Sequence, residues 1–264
     1  MKNLKEILFK VTVDAIYGDT STSVKDICFS SKEVDRDSLF VAINGYNTDG
    51  HNFIVEAINN GASTIVCEVL PKDFKKLKSV FVKVTCSKSA LSIISSNFYD
   101  NPSSKIDLIG ITGTNGKTTI SSLLFDLFNR FSINSGLIST INIKYGDQDI
   151  DSTNTTPDSK SINYHLAEMI KSNVKICFME VSSHGIDQKR IEGLFFKGVI
   201  FTNLTHDHID YHKSFANYRD TKKKIFDSLP NSSFSLINSD DRNSKYIIQN
   251  SKSKKYTYGI KNKS

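Results

Sequence analysis

Ile106-Asp107-Leu108-Ile109-Gly110-Ile111-Thr112-Gly113-Thr114-Asn115-Gly116-Lys117-Thr118-Thr119 is the stretch that decides the fold. An apolar strand over 106–112 runs into a glycine loop, and the loop runs into a helix whose Leu123, Leu124, Leu127 and Phe128 are expected to share one face. Strand, loop and helix in that order are the context a phosphate loop requires. Glycines let successive N–H groups turn inward on phosphate oxygens, and the helix N-terminus adds its dipole. Lys117 supplies a point charge, and the Thr118 hydroxyl can ligate Mg²⁺. An ordinary Walker loop has glycine where this chain has Ile111, so G-T-N-G-K-T-T is a shorter variant. The plain alternative is a glycine turn that happens to precede Lys-Thr; the agreement of all three parts favours a nucleotide phosphate.

Outward from the loop, short apolar strands alternate with helices. Strands are expected near 137–138 and over 174–179, 199–202, 234–237 and 255–258, with helices over 165–171 and from 222 to about 228. Upstream lie a strand over 39–43, a helix over 53–58 stopped by Gly61, strands over 64–67 and 80–84, and a helix through Leu91, Ile94 and Phe98. Turn formers cluster at Tyr99-Asp100-Asn101-Pro102-Ser103-Ser104, which places a domain boundary there. The expected architecture is α/β: a small domain over 1–101, then a doubly wound, mostly parallel sheet over 102–264. A chain of 264 residues accommodates two such domains and is short for three.

Composition narrows the function classes. Lys+Arg 34 against Asp+Glu 28 gives a net charge of +6. Of those cations 29 are Lys and 5 are Arg, and they are scattered, whereas nucleic-acid recognition leans on Arg forks. Nucleic acid is therefore set aside, and the short runs at 72–78 and 222–224 read as solvated helix faces. The mild positive excess suits an anionic small substrate. Cys28, Cys67, Cys86 and Cys177 are far apart with no C-x-x-C pair, as expected of buried thiols in a reducing compartment. The N-terminal stretch lacks the apolar core of a secretory signal, and no segment approaches the ~18 apolar residues of a membrane span. A cytoplasmic protein without a membrane partner is expected.

Two further segments carry chemistry. The strand over 174–179 empties into Glu180-Val181-Ser182-Ser183-His184-Gly185-Ile186-Asp187-Gln188-Lys189-Arg190, at the edge where open α/β sheets place ligands. A solvated strand-end charge is the plain reading of Glu180, but apolar neighbours make an unpartnered carboxylate costly there. The next strand empties into Leu204-Thr205-His206-Asp207-His208-Ile209-Asp210-Tyr211-His212, with three histidines and two aspartates within seven residues. Zinc is the first thought, yet H-E-x-x-H is absent and no cysteine lies near. Beside a phosphate loop Mg²⁺ is the better fit, and surface or supporting roles are expected for two of the histidines.

Together these motifs resemble the ATP-dependent Mur ligases, which build the peptide stem of the bacterial cell wall. The E-V-S-S-H-G…Q-x-R and F-T-N-L-x-x-D-H-x-D-Y-H runs are similar to the family's MurE type, which adds the third amino acid to UDP-N-acetylmuramoyl-L-alanyl-D-glutamate. The resemblance implies ATP and Mg²⁺, with Thr118 and Glu180 on one metal ion and Glu180 and His208 on a second. It implies catalytic roles for Lys117, Glu180, His208 and Lys222, the last as a carbamylated lysine at the tenth residue after D-Y-H, next to Lys223 and Lys224. A carbamate would turn a cation that repels Mg²⁺ into an anionic ligand. Asn154, Thr155, Thr156, Ser182, Gln188 and Arg190 would contact the dipeptide.

The first domain is similar to the family's UDP-binding module through Ser38-Leu39-Phe40-Val41-Ala42-Ile43-Asn44-Gly45 and Asp49-Gly50-His51. Phe29, Ser31, Tyr46, Asn47 and Thr48 would contact the nucleotide part of the substrate. Where the family reads D-S-R, this chain reads Ser30-Ser31-Lys32.

The implied activity is amide formation through an acyl phosphate, with UDP-N-acetylmuramoyl-dipeptide, ATP and an amino acid (meso-diaminopimelate or L-lysine) as partners of a monomer. Family members carry a third, C-terminal domain that receives the amino acid, and none of its motifs occurs in these residues. The chain is thus expected to be a truncated ligase, inactive or poor alone. Folylpolyglutamate synthetase, the rival within the family, lacks the first domain and reads G-K-G-S at the loop. The rival from another class is a non-catalytic ATP- or UDP-sugar-binding relative, which would bind nucleotide without amino-acid-dependent phosphate release.

Overall fold

The computed structural model describes residues 1–45 and 48–261. Tyr46 and Asn47, two residues assigned above to nucleotide contact, lie outside the described residues, as do 262–264. The chain divides into two compact units, Met1–Asn101 and Pro102–Ser264.

In chain order the first unit comprises β1 (Lys2–Asn3), α1 (Leu4–Ile7), β2 (Val13–Tyr17), β3 (Ser23–Val24), β4 (Ile27–Cys28) and β5 (Ser38–Val41). After these come α2 (Ile54–Asn59), β6 (Ala62–Cys67), β7 (Val80–Val84) and α3 (Ser87–Phe98). Five strands form a sheet in the order β2-β7-β6-β5-β4, parallel except for β2 against β7. Strand side chains alternate between faces, and the apolar runs fill both. Leu39, Val41, Val66, Val82 and Val84 pack with Leu4, Ile7, Leu91 and Ile94 of α1 and α3. Phe40, Ile65, Cys67 and Phe81 pack with Ile54 and Ala57 of α2. The antiparallel β2 was not legible, because Val-Asp-Ala-Ile-Tyr has no strict alternation.

The second unit runs β8 (Asp107–Thr112), α4 (Lys117–Arg130), β9 (Ser135–Ile138), β10 (Asn142–Tyr145), β11 (Gln148–Asp151), α5 (Ser159–Lys171) and β12 (Ile176–Glu180). It continues with α6 (Ser183–Asp187), β13 (Gly198–Phe201), α7 (Ile209–His212), α8 (Phe215–Asp227), β14 (Phe234–Asn238), α9 (Ser244–Ile247) and β15 (Lys254–Tyr258). The eight strands are ordered β11-β10-β9-β12-β8-β13-β14-β15. All are parallel from β9 to β15, while β10 and β11 add an antiparallel edge. This is the expected doubly wound α/β fold. The chain leaves β8 toward β9 on one side, then leaves β12 toward β13 on the other, so the order reverses around β8. Ligands of open α/β sheets bind outside the strand ends at such a reversal.

Four expectations need correction, the first being that the 222–224 run is no solvated face, since Lys222 and Lys223 are both buried. The buried arc of α4 carries Ile120, Leu124, Phe125 and Phe128 against Ile109, Ile111, Leu137, Phe178 and Ile200, whereas Leu123 (62% exposed) and Leu127 (46%) face outward. Ser121, the buried centre of that arc, and Thr118 share the inner side, so the rotation that aims Thr118 at β12 also decides which apolar residues face the sheet. Helix α8 starts at Phe215 rather than near Lys222, because Ser214 caps it by accepting from the Asn217 N–H. Helix α5 likewise starts early, capped by Asp158. Cys28, Cys67 and Cys177 are buried and Cys86 partly so, as expected of thiols placed in apolar stretches. Among the described residues no helix is long and apolar enough to cross a membrane.

Candidate functional site

Three strand ends meet at the carboxyl edge of the second sheet. The β8–β12 register sets Glu180 opposite Ile111, and the β8–β13 register sets Phe201 opposite Thr112. The phosphate loop therefore leaves β8 level with Glu180 on one side and Thr202 on the other. Gly113 sits at φ +153, where a Cβ would fall 1.9 Å from Thr202 Oγ1, so the loop hugs β13 only as glycine. Gly116, the N-cap of α4, is left-handed at φ +83.

The exit of β13 holds the loop by its backbone. Thr114 N–H donates to Asn203 O (2.9 Å) and Asn115 N–H to Asn203 Oδ1 (3.0 Å). Thr202 Oγ1 and Asn203 Nδ2 both donate to Asn115 O, at 2.7 and 3.1 Å. The first helical bond is Ile120 N–H to Gly116 O (3.0 Å), so the N–H groups of Lys117, Thr118 and Thr119 precede it and are free of helical acceptors. That end of α4 is built to meet an anion.

Two amines converge on one carbonyl. Lys117 Nζ donates to Gly113 O (3.1 Å) and Thr114 O (2.8 Å), and Lys222 Nζ donates to the same Gly113 O at 2.9 Å. Lys222 is 1% exposed and has no ion pair among the described residues. Its burial, reinforced by the charge of Lys117, pushes the amine well below its ordinary pKa. Burial also lowers Lys117, against the pull of Glu180 and Asp207.

Glu180, fully buried, receives Thr118 Oγ1 (3.1 Å) and Thr140 Oγ1 (3.0 Å) on Oε2 and Thr140 N–H (2.9 Å) on Oε1, all neutral donors, and forms no ion pair among the described residues. A carboxylate this buried without a direct ion pair is costly unless further charge completes it.

Beside it lies most of the expected dipeptide group. Thr156 Oγ1 donates to Glu180 O (3.0 Å) and accepts from Ser182 N–H (2.9 Å), while Ser182 Oγ caps α6 through Gly185 N–H (3.0 Å). Arg190 donates to Thr156 O through Nη1 (2.5 Å) and to Gln188 Oε1 through Nε (3.1 Å) and Nη2 (2.6 Å). Thr155 Oγ1 lies 3.1 Å from Thr140 Oγ1 and is the donor of that bond, because the one Thr140 proton goes to Glu180. Asn154 stands apart, exposed, bonded to Thr153 Oγ1.

The histidines divide as their surroundings dictate. His206 stacks on Phe215, and His212 is buried with His184 and Tyr218. His208, left-handed at φ +52, lies half-exposed beside Asp207 and edge-on to His184. Among the described residues no three His, Cys, Asp or Glu side chains gather closely enough to hold an ion. A metal here has to draw on a hydroxyl such as Thr118 as well as on carboxylate and imidazole.

In the first unit, Phe29 is half-buried against the core and Thr48 is exposed, its carbonyl accepting from Gly45 N–H. Ser31 is buried, its hydroxyl donating to Glu56 Oε1 (3.2 Å). His51 Nε2 accepts from the N–H groups of Glu68 (2.9 Å) and Val69 (3.3 Å), so its Nδ1–H donates to Asp49 (2.7 Å). The D-G-H triplet is thus a structural clasp between two loops.

Sequence reasoning missed Thr140, Asn203 and Tyr218. Thr140 carries no motif. Asn203 lay within the quoted F-T-N-L run, and Tyr218 sits one helical turn before Lys222, visible once Ser214 is read as a cap.

Residues 111–264 match the family model described as Mur ligase middle domain. The chain belongs to the Mur ligase family. Residues 23–99 match a second model, described as Mur ligase family, catalytic domain. Two curated Mur ligases similar to it are both named UDP-N-acetylmuramoyl-L-alanyl-D-glutamate–2,6-diaminopimelate ligase. The protein from Cytophaga hutchinsonii is 47% identical over 257 residues, covering 97% of this chain and 53% of the relative. That from Bacteroides fragilis is 46% identical over 258 residues, covering 98% and 53%. The chain thus spans about half the length of the curated relatives it matches. A solved structure carrying the same protein name has the same fold, with a TM-score of 0.81 at 22% identity over 100% of this chain and 53% of that one.

Proposed function

We propose that this chain carries the nucleotide and dipeptide sites of an ATP-dependent amide-forming ligase of the MurE type. Its acceptor is UDP-N-acetylmuramoyl-L-alanyl-D-glutamate, and its amino acid is the 2,6-diaminopimelate for which its relatives are named. Residues 1–101 serve as the UDP module and 102–264 as the ATP-binding part. The observation that carries the reading is the fully buried Glu180, bonded to the phosphate-loop Thr118 and without an ion pair among the described residues.

In this reading the free N–H groups at the start of α4 receive phosphate oxygens, and Lys117 swings from its own loop carbonyls onto the phosphates. The donor set fits Mg²⁺: Glu180 and Thr118 would hold one ion, and Glu180 and His208 a second. Bound there, Mg²⁺ supplies the positive charge that lets two anions approach. Arg190, held flat by Gln188, pairs with an acceptor carboxylate. The phosphoryl group passes from ATP to the D-glutamyl γ-carboxylate; the amine then attacks the acyl carbon, expelling phosphate and losing a proton to leave an amide.

Burial without a carboxylate partner favours Lys222 as the neutral amine, the form that adds CO₂. Nitrogen would bond to carbon and one N–H proton would depart, and the resulting carbamate would supply anionic oxygen in place of an ammonium that repels Mg²⁺. Lys223 is already committed to Asp227 by an ion pair, which removes it as a rival.

The test is phosphate release from ATP, measured on this chain and on the complete open reading frame that encodes it. Release that requires both the UDP-dipeptide and diaminopimelate is expected from the complete product. Nucleotide binding with no such release in either would select the non-catalytic relative.

A further inference from the structure

The phosphate loop is gripped from a side its motif does not mention. Tyr218, 1% exposed on α8, places its hydroxyl 3.0 Å from Thr114 Oγ1. Thr114 Oγ1 also receives the Thr205 N–H at 3.0 Å and donates to Thr205 O at 3.3 Å. A threonine hydroxyl has one proton and two lone pairs. With the proton committed to Thr205 O and one lone pair to Thr205 N–H, the remaining lone pair accepts the Tyr218 proton. Tyr218 is therefore the donor, and burial keeps it protonated by pushing its pKa up to about 12.

One turn further along the same face, Lys222 bonds Gly113 O. Consecutive loop residues are thus held by an i, i+4 pair from one helix, and the Tyr218 ring packs 5.0 Å from the Lys222 nitrogen. The exit of β13 anchors the loop from one side through Asn203, and α8 anchors it from the other. A loop whose amides must already point at phosphate gains affinity from being fixed before the ligand arrives.

We infer that Tyr218 is a positioning residue for the phosphate loop: its hydroxyl fixes Thr114, and through it the amides that meet a nucleotide phosphate. The inference rests on the nucleotide reading above and adds a residue to it. Tyr218→Phe isolates the hydroxyl, because it keeps the ring against His212 and Lys222.

The probe is MgADP, titrated into the 264-residue chain, with amide hydrogen exchange recorded without nucleotide. Tyr218→Phe should weaken MgADP about 3- to 10-fold, as expected for one lost buried hydrogen bond. It should also speed exchange of the Thr114 and Asn115 amides while amides of β12 keep wild-type rates. Unchanged loop exchange with unchanged affinity overturns the inference. So does equal acceleration in β12, which would mean general loosening. A wild-type chain that binds no MgADP refutes the nucleotide reading instead, and the exchange data then decide the loop assignment independently.

Discussion

The two sheets are built alike and differ in what they bury. Both alternate apolar side chains between two helical layers, and both are mainly parallel. Among the described residues of 1–101, every buried polar side chain is neutral, a Ser, Thr or Asn. The unit over 102–264 buries Glu180, Lys222, Lys223 and His212. Of these, Lys223 is neutralised by Asp227, whereas among the described residues Glu180 and Lys222 have no partner of opposite charge in contact. Folding alone does not reward uncompensated charge in a dry interior. The difference teaches where a ligand completes the structure: the first sheet is finished as it stands, and the second waits for charge from outside.

The comparison can be broken at several points. The largest effect is expected for Lys117→Ala, which should cut ATP-dependent phosphate release by the complete gene product about 10²- to 10³-fold or more. Unchanged release would remove the phosphate loop from the account. Lys222→Met should cripple turnover, with partial rescue by a small carboxylic acid, and the nucleotide-free chain should gain roughly 1 kcal/mol in a denaturant titration. The gain arises because a buried amine disappears while Gly113 O keeps Lys117. A large loss of stability would show that Lys222 is an ordinary structural residue.

Glu180→Gln is expected to leave the melting of the nucleotide-free chain within about 1 kcal/mol, since Thr140 N–H retains an acceptor and the two hydroxyls can turn. The stabilisation that MgADP gives the wild type should vanish. A strong intrinsic loss with MgADP stabilisation intact would mean the carboxylate is part of the scaffold.

The smallest effect separates ordinary burial from the site. His165, on α5 against Tyr145, has its pKa lowered from 6.5 chiefly by burial. The unfolded chain then takes a proton before the folded one does, so stability falls as pH drops from 6.5 through the lower folded value. His165→Gln should make that slope shallower, with His184 and His212, lowered in the same direction, keeping the rest of it, and should not touch MgADP affinity; an unchanged slope assigns it wholly to other groups.

What the sequence made legible followed from pattern strength. Six consecutive strand residues before Gly113, a glycine loop and an amphipathic helix agree on a phosphate loop over a chance turn, and the apolar strand before Glu180 weighed against a solvated charge at its end. The β10–β11 hairpin escaped because each strand offers few apolar positions, Ile143 and Tyr145 on one and Ile150 on the other, around a turn at Gly146. Leu123 and Leu127 misled because helix periodicity defines a stripe without saying which flank of it meets the sheet. Thr140 and Tyr218 reach the site through the fold, from a strand exit and from a helix turn whose spacing to Thr114 no linear motif encodes.

Calorimetric titration of the wild-type chain with ADP, once with Mg²⁺ and once with a chelator, tests the central claim most directly. Saturable binding of one nucleotide per chain, lost when the metal is removed, is expected. Binding of equal strength in the chelator, or none in either condition, would contradict it.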